Sequence, residues 1–552
     1  MTAILWMGCL ASAVFTLAAK PQSDPLFEEP VATAISPATT SPRTTAEEIN
    51  ARFQTEGVAS REKIDDYTFL RRVSLDLTGK APTPGQIDAF ARNGSKNRRS
   101  QIVEKLLESP DFGKNWGRYW RDVILARRSD DRALGIVAKG LATAIGNRLN
   151  HDVSWGQIAR SFITASGDLQ KKGETGLFLA QKGETAEITS EITRLFMGMQ
   201  IQCAQCHDHP SEDWTREQFH QMAAFFPRLG VRKVPNAMTR NFEVYSADGK
   251  QAARKKGKKK QKKKLEHFMP DLENPKAQGT LMQPVFFQTG QSLEIGATDM
   301  QRRKALADWM TDPETNPWFA RAYVNRIWSE LIGKGFYEPV DDLGDKREGN
   351  YTAIFNFLSD RFAAGGFDTK WLFQTIMATD IYQQRGGSPQ EITAESTVTA
   401  CPQPLRGDPL FSALSAALEI NNPPRNKALA GKGPKREQAR NLFNQAFFYD
   451  PSLPRDEINA TIPQALLMMN GPQLNQFIRS DRRGSMLRKL LAQNADNNVL
   501  VEQLYLRCLS REPDDQEQAI CLAHIKQTGD RTEAYEDILW ALINSAEFRY
   551  RR

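Results

Sequence analysis

The chain reads Ile188-Thr189-Ser190-Glu191-Ile192-Thr193-Arg194-Leu195-Phe196-Met197-Gly198-Met199, and this run indicates its fold class. The large apolar residues recur at the spacing i, i+4, i+7, i+8 and i+11, which places them on one face of an α-helix. Similar helical patterns lie on both sides, and Thr83-Pro84, Thr215 and Asn316-Pro317 are typical helix starts. The sequence therefore predicts a mainly α protein.

The length and the periodicity divide the chain into parts. A chain of 552 residues is longer than one hydrophobic core usually supports. Helical periodicity over residues 49–230 and again over 301–552 predicts two helical domains. Residues 231–300 lose this periodicity and carry short extended pieces. They are interpreted as a small β-rich insertion with a Lys-rich loop.

The first 48 residues have a different composition. Residues 3–19 are mostly apolar or small and end in Ala18-Ala19, which indicates a secretory signal peptide over residues 1–19. Residues 20–48 are rich in Pro, Ser, Thr and Ala, and a disordered linker is expected there. No later run of apolar residues is long enough for a membrane span. The expected location is the periplasm or the cell surface.

The basic charge of the chain is local. The net charge is +7, yet Arg254 and the lysines between residues 255 and 264 concentrate positive charge in one short run. The rest of the chain is close to neutral, so no nucleic-acid-binding face is predicted. A charge run of this kind is usually a solvated loop, and contact with an acidic polysaccharide is the alternative interpretation.

The cysteine motif Cys203-Ala204-Gln205-Cys206-His207-Asp208-His209-Pro210 follows the first helix described above. Its core is C-x-x-C-H, the pattern that attaches c-type haem. The thiols of Cys203 and Cys206 would form the two thioethers, and His207 would be the proximal ligand of the haem iron. The chain has only 6 cysteines and 6 histidines, which makes this clustering informative.

Two other interpretations of the cysteine motif stay open. Cys203, Cys206 and His209 could bind zinc, with His207 or His220 as the fourth ligand. A zinc site with all four ligands would be structural, and one with a bound water could be hydrolytic. Alternatively, the two cysteines form a local disulfide or stay as thiols, and the histidines stabilise a loop. Haem alone does not explain Asp208 and His209.

A further polar group is predicted in the second half of the chain. Arg321, Asn325 and Arg326 lie near Asp341 and Asp342 in sequence. They could form a buried polar network that locks the helices together, or line a substrate cleft. Whether Cys508 pairs with Cys521 is not decided by the sequence, because their geometry depends on how two helices meet.

Several segments together resemble a known family. They are the cysteine motif with Trp214 and residues 223–226, and the runs at residues 69–79, 316–321, 324–328 and 540–548. This combination is similar to the paired domains of unknown function found in secreted planctomycete proteins. Proteins with these domains are often fused to cytochrome c-like modules, and no separate N-terminal module of this kind is expected in this sequence.

The resemblance implies a suspected cytochrome link. The motif C-A-x-C-H-D-H-P of the family maps onto Cys203, Ala204, Cys206 and residues 207–210. Together, motif and resemblance lead us to expect an exported c-type haem-binding protein of electron transfer with a redox partner cytochrome. The alternative is a surface protein with a structural zinc or disulfide site that binds or processes polysaccharide. No catalytic motif is recognised, so enzymatic activity is left open.

Overall fold

Helices dominate the computed structural model, in which 59% of the residues are helical and 5% lie in strands, so the prediction of a mainly α protein is confirmed. The structure describes residues 40–127, 134–235, 241–248, 265–386, 402–420, 436–482, 484–493 and 496–551. The predicted signal peptide, most of the predicted linker, the lysine run and Cys401 lie outside these residues. Within the described residues, no helix is long and apolar enough to cross a membrane.

The first half of the chain contributes ten helices to the described part. They are α1 (Pro42–Thr55), α2 (Asp66–Thr78), α3 (Pro84–Ala91), α4 (Arg98–Leu107), α5 (Pro110–Leu125), α6 (Leu134–Asn150), α7 (Trp155–Ile163), α8 (Gly176–Ala180), α9 (Thr185–Met197) and α10 (Arg216–Ala223).

The second half contributes fourteen helices to the described part. They are α11 (Asp299–Met310), α12 (Trp318–Ile332), α13 (Thr352–Ala364), α14 (Thr369–Ala378), α15 (Asp380–Gln383), α16 (Gly407–Ala417), α17 (Arg436–Ala446), α18 (Ile462–Asn470), α19 (Pro472–Ile478), α20 (Met486–Gln493), α21 (Asn497–Cys508), α22 (Asp515–Thr528), α23 (Arg531–Asn544) and α24 (Ala546–Arg549).

The strands are short and form small antiparallel sheets. They are β1 (Gly167–Asp168), β2 (Leu229–Lys233), β3 (Phe242–Ser246), β4 (Phe268–Met269), β5 (Thr280–Leu281), β6 (Gln403–Pro404) and β7 (Tyr550–Arg551). The order in the three-stranded sheet is β1-β3-β2, with Val231 opposite Val244, while β4 pairs with β5 and β6 with β7. Most strands lie between residues 229 and 281, as expected for a small β-rich insertion, although β1 comes from the preceding helical part.

Local sequence signals explain where the helices begin and end. The Thr215 hydroxyl accepts a hydrogen bond from the Gln218 backbone N–H, and the Gln218 side-chain oxygen accepts one from the Thr215 backbone N–H, which is a capping box at the start of α10. Helix α2 ends at Gly79, and α9 ends at Gly198, both in the left-handed conformation that glycine adopts without a Cβ clash.

The hydrophobic core consists of two clusters. The first contains buried residues between Ile49 and Tyr382, including Trp116, Tyr119 and Trp120 of α5. The second cluster contains residues between Leu405 and Phe548, with Leu75 and Ala81 from the first half. Residues Ser36–Arg552 form one compact unit, and the division at residues 230 and 300 stays a prediction.

Candidate functional site

The cysteine motif lies in the connection between α9 and α10, as the sequence predicted. After Gly198, a 3₁₀ turn spans Ile201–Gln205, and the buried side chains of Ile201 and Ala204 anchor it in the first hydrophobic cluster. The side chains of Cys203 and Cys206 face outward. Both cysteines are exposed, and both carry free thiols. Exposed thiols on one short turn can react with an external group.

His207 is exposed and its ring is oriented by its neighbour. The Nδ1 atom lies 2.7 Å from the backbone oxygen of Asp208, so Nδ1 is the protonated nitrogen in the neutral ring. The unprotonated Nε2 atom makes no hydrogen bond to any described residue. This tautomer leaves a lone pair on Nε2 for a metal ion.

Asp208 and His209, which haem does not explain, both stabilise the turn. Asp208 Oδ1 accepts a hydrogen bond of 2.8 Å from the backbone N–H of Arg216, at the start of α10. His209 Nδ1 accepts hydrogen bonds from the backbone N–H groups of Ser211 (3.3 Å) and Glu212 (3.1 Å). Its ring packs edge-on against Trp214 with 5.0 Å between centroids. These contacts give both residues a structural role.

His220 contacts the motif through a hydrogen bond. Its Nε2 atom is 3.1 Å from the backbone oxygen of Gln205, between the two cysteines, and its Nδ1 atom is 2.8 Å from Nε2 of His267. Burial lowers the pKa of His220, and burial together with His220 lowers the pKa of His267 to about 4. Both rings are therefore neutral at pH 7.

The structure does not assemble the predicted zinc ligands. Cys203 and Cys206 are exposed, whereas His220 is buried and both of its nitrogens are occupied. Among the residues that the structure describes, no three His, Cys, Asp or Glu side chains are placed to hold one metal ion. Zinc binding by Cys203, Cys206, His209 and His220 would require the turn to rearrange.

A loop from the second half of the chain contacts the same region. The backbone N–H of Leu343 donates a hydrogen bond of 2.7 Å to the oxygen of Gly198, and the N–H of Lys346 lies 3.3 Å from Glu212 Oε2. Arg347 forms an ion pair of 2.5 Å with Asp342. The cysteine motif is thus held against residues more than a hundred positions further along the chain.

Asp341 is fully buried behind this loop and accepts hydrogen bonds from several cationic or amide groups. Arg194 Nη1 lies 2.6 Å from Oδ2, and Arg127 (3.2 Å) and Gln200 (3.1 Å) also donate to the carboxylate. Burial raises the pKa of Asp341, but Arg194, Arg326 and Arg127 outweigh burial and bring it to about 2.

Of the three basic or amide residues predicted for the polar network, one contacts Asp341. Arg326 lies 3.4 Å from Asp341 Oδ2. Asn325 instead donates to the backbone oxygens of Tyr337 and Val340, and the Arg321 guanidinium lies over the Trp318 ring. The network around Asp341 is buried, which favours the locking role over a substrate cleft.

Comparison with protein families identifies two regions. Residues 46–230 match the family described as "Protein of unknown function (DUF1549)", and residues 302–407 match the family described as "Protein of unknown function (DUF1553)". The chain carries the paired unknown-function domains typical of planctomycete proteins. No curated protein and no solved structure matches the chain.

The pairing of the two regions has a structural counterpart. The cysteine motif, Gly198 and Arg194 belong to the DUF1549 region, whereas Asp341, Leu343 and the rest of the contacting loop belong to the DUF1553 region. The Leu343–Gly198 hydrogen bond and the Arg194–Asp341 ion pair therefore join the two regions directly beside the motif.

Sequence reasoning missed His267 and the role of Glu212 in this site. His267 follows the lysine run and lies in a segment without helical periodicity. No sequence pattern therefore predicts that His267 contacts His220. Glu212 is two residues past the motif, and its burial next to Gly344, where a Cβ would lie 2.4 Å from the carboxylate, depends on the distant loop.

Proposed function

We propose that the chain is an exported c-type haem protein that transfers electrons, with haem held by Cys203, Cys206 and His207. The observation that carries this proposal is the exposure of all three groups on one turn, with both cysteines as free thiols. A buried or bridged cysteine pair could not react with an incoming porphyrin.

The residues of the turn fit this group in two respects. Each thiol would add its sulfur to one carbon of a vinyl group and its hydrogen to the other carbon, so attachment consumes no oxidant. The Nδ1–H of His207 donates to the Asp208 carbonyl, which is how metal-bound histidines are commonly oriented through their second nitrogen. Haem bound there would supply reversible one-electron chemistry.

Other candidate iron ligands near the motif are already engaged. Met197, Met199 and Met222 are buried in the first hydrophobic cluster, and His220 already uses both nitrogens in hydrogen bonds. The haem iron would therefore be held by His207, without a bond to any of these four side chains. An exposed haem edge suits electron exchange with a partner cytochrome, which we propose as the redox partner.

The proposed location is the periplasm or the cell surface. An oxidising compartment permits c-type haem attachment, and residues 1–19 carry the pattern of a signal peptide. This part of the proposal rests on the sequence.

The test is to export the full chain in a strain competent for haem attachment and to record its pyridine haemochrome spectrum and metal content. We expect one covalent haem per chain in the wild type, an altered spectrum in Cys203→Ala, and loss of normal ligation in His207→Ala. Cys521→Ala is the matched control, since this thiol lies far from the motif, and it should keep the wild-type spectrum. A colourless protein with one zinc ion per chain would contradict the proposal.

A further inference from the structure

A cavity of about 440 Å³ lies between the start of α9 and the small sheets. Its wall includes Lys182, Glu184, Thr185, Tyr245 and His267. This volume is within the range of about 300–1,000 Å³ that is usual for small-molecule sites. Neither family description assigns a role to it.

The shape of the cavity depends on two glycines. A Cβ on Gly230 would lie 2.4 Å from the Tyr245 ring, so only glycine leaves this ring its position in the wall. Gly183 has a φ of +73°, and a Cβ there would lie 3.0 Å from Val231. The absence of a side chain at these two positions therefore lets Tyr245 and Val231 keep their places in the wall.

The polar groups in the wall have unused hydrogen-bonding capacity. Lys182 and Glu184 are exposed to solvent, whereas Thr185 and Tyr245 are half-buried, and the side-chain polar groups of these four residues make no hydrogen bond or ion pair with any residue in the described ranges. Glu184 occupies the N-cap position of α9 without capping it, so the first backbone N–H groups of this 13-residue helix also face no side-chain acceptor. Donors and acceptors are thus mixed in one cavity.

The charges of the wall cancel. Glu266 is neutralised by Arg228, 2.5 Å away, and Arg302, 2.6 Å away. His267 is half-buried next to His220 and is neutral at pH 7. Among the lining residues that the structure describes, the remaining charged side chains are one cation, Lys182, and one anion, Glu184. A neutral ligand therefore fits this cavity better than an anion or a cation does.

We propose that this cavity binds a neutral hexose unit, free or at the end of an oligosaccharide. A sugar ring offers several hydroxyls that both donate and accept, which matches a wall of one ammonium, one carboxylate and two hydroxyls. The proposal does not rest on haem, because none of these residues belongs to the cysteine motif. The cavity is nevertheless connected to the motif by the hydrogen bonds from His267 to His220 and from His220 to Gln205.

The experiment titrates the purified full chain, with and without attached haem, with methyl glucoside, methyl galactoside and N-acetylglucosamine, and follows binding by calorimetry and saturation-transfer NMR. At least one of these sugars should bind saturably in both forms. Tyr245→Phe and Thr185→Val should each weaken that binding about tenfold, because each leaves a ligand hydroxyl without its partner.

The control variant is Tyr550→Phe, which removes the same hydroxyl at a position outside the cavity and should bind as the wild type does. Circular dichroism of each variant checks that the fold is kept. The proposal is overturned if no neutral sugar binds saturably, or if the cavity variants bind as tightly as the control. Tighter binding of glucose 6-phosphate, an anionic sugar, or of glycine, a zwitterion, than of the neutral sugars would also overturn the proposal.

Discussion

Half-buried His267 and buried His220 form an imidazole pair, with 2.8 Å between Nε2 of His267 and Nδ1 of His220 and 5.1 Å between the stacked rings. Because His220 Nε2 donates to the Gln205 carbonyl, its Nδ1 is the acceptor in the neutral ring, and His267 donates. Two neutral rings satisfy this chain of hydrogen bonds. Full protonation would place two N–H groups face to face.

The first prediction concerns stability as the pH falls. The pKa of His267 is about 4 in the folded chain, below the ordinary 6.5, because burial and His220 disfavour the charged ring. A histidine with a lowered folded pKa contributes stability that is fully present above pH 6.5 and is lost as the pH falls towards 4. The loss from this group should be about 1–3 kcal/mol.

Urea unfolding at several pH values between 7 and 4 measures this effect. His267→Gln should show a smaller loss of unfolding free energy over this interval than the wild type does, whatever its stability at pH 7. His151→Gln changes an exposed histidine and is the control. Equal losses in His267→Gln and the wild type would show that the pair does not carry the pH dependence.

The second prediction concerns the buried carboxylate that joins the two regions. Asp341→Asn removes the charge opposite Arg194 and Arg326, which are themselves buried. Because uncompensated buried charge is costly, the free energy of unfolding should fall by about 3–5 kcal/mol. Asp213→Asn breaks the exposed pair with Lys346 and should cost at most about 1 kcal/mol. Chemical denaturation of both variants tests this, and a loss for Asp341→Asn as small as that of the control would argue against the network.

The third prediction concerns the glycine that ends α9. Gly198 has a φ of +67°, and a Cβ there would lie 2.6 Å from Leu343 and 3.2 Å from Ala322. Gly57 has a φ of +79° and open space around it, so it isolates the backbone effect. Gly57→Ala should cost about 1–2 kcal/mol. Gly198→Ala should cost about 1–3 kcal/mol more, because the DUF1553 loop cannot move away freely.

Thermal unfolding of the two glycine variants, measured side by side, provides the comparison. Equal melting temperatures for Gly198→Ala and Gly57→Ala would mean that the contact between Gly198 and Leu343 is looser than the structure has it.

The local part of this structure could be predicted from the sequence. The apolar spacing of α9 and the Thr215 cap of α10 depend on neighbours within a few residues, and both predictions are confirmed. The position of the cysteine motif between two helices follows from the same signals.

The long-range part could not be predicted in the same way. Asp341 forms an ion pair with Arg194, a residue 147 positions away. Of Arg321, Asn325 and Arg326, the residues predicted to join this network, Arg326 alone contacts Asp341. Asn325 lies one position earlier, yet the helix turns its amide towards the Tyr337 and Val340 carbonyls. These contacts depend on how the helices pack against one another, and the spacing of residues in the sequence does not determine that packing.

The cysteine motif shows both cases. The sequence indicated C-x-x-C-H chemistry but left Asp208 and His209 without a role, because their hydrogen bonds to the Arg216, Ser211 and Glu212 backbone appear only when the turn is folded. Once those two residues have structural roles, Cys203, Cys206 and His207 remain as exposed groups of the C-x-x-C-H pattern.

The most direct test of covalent haem attachment is the mass of the tryptic peptide that spans residues 195–216 in the protein exported from a haem-attaching strain. We predict that this peptide carries one haem through both cysteines after acid denaturation and organic extraction, which remove haem that is not covalently bound. A peptide with two unmodified thiols, or with a disulfide between Cys203 and Cys206, would contradict the account.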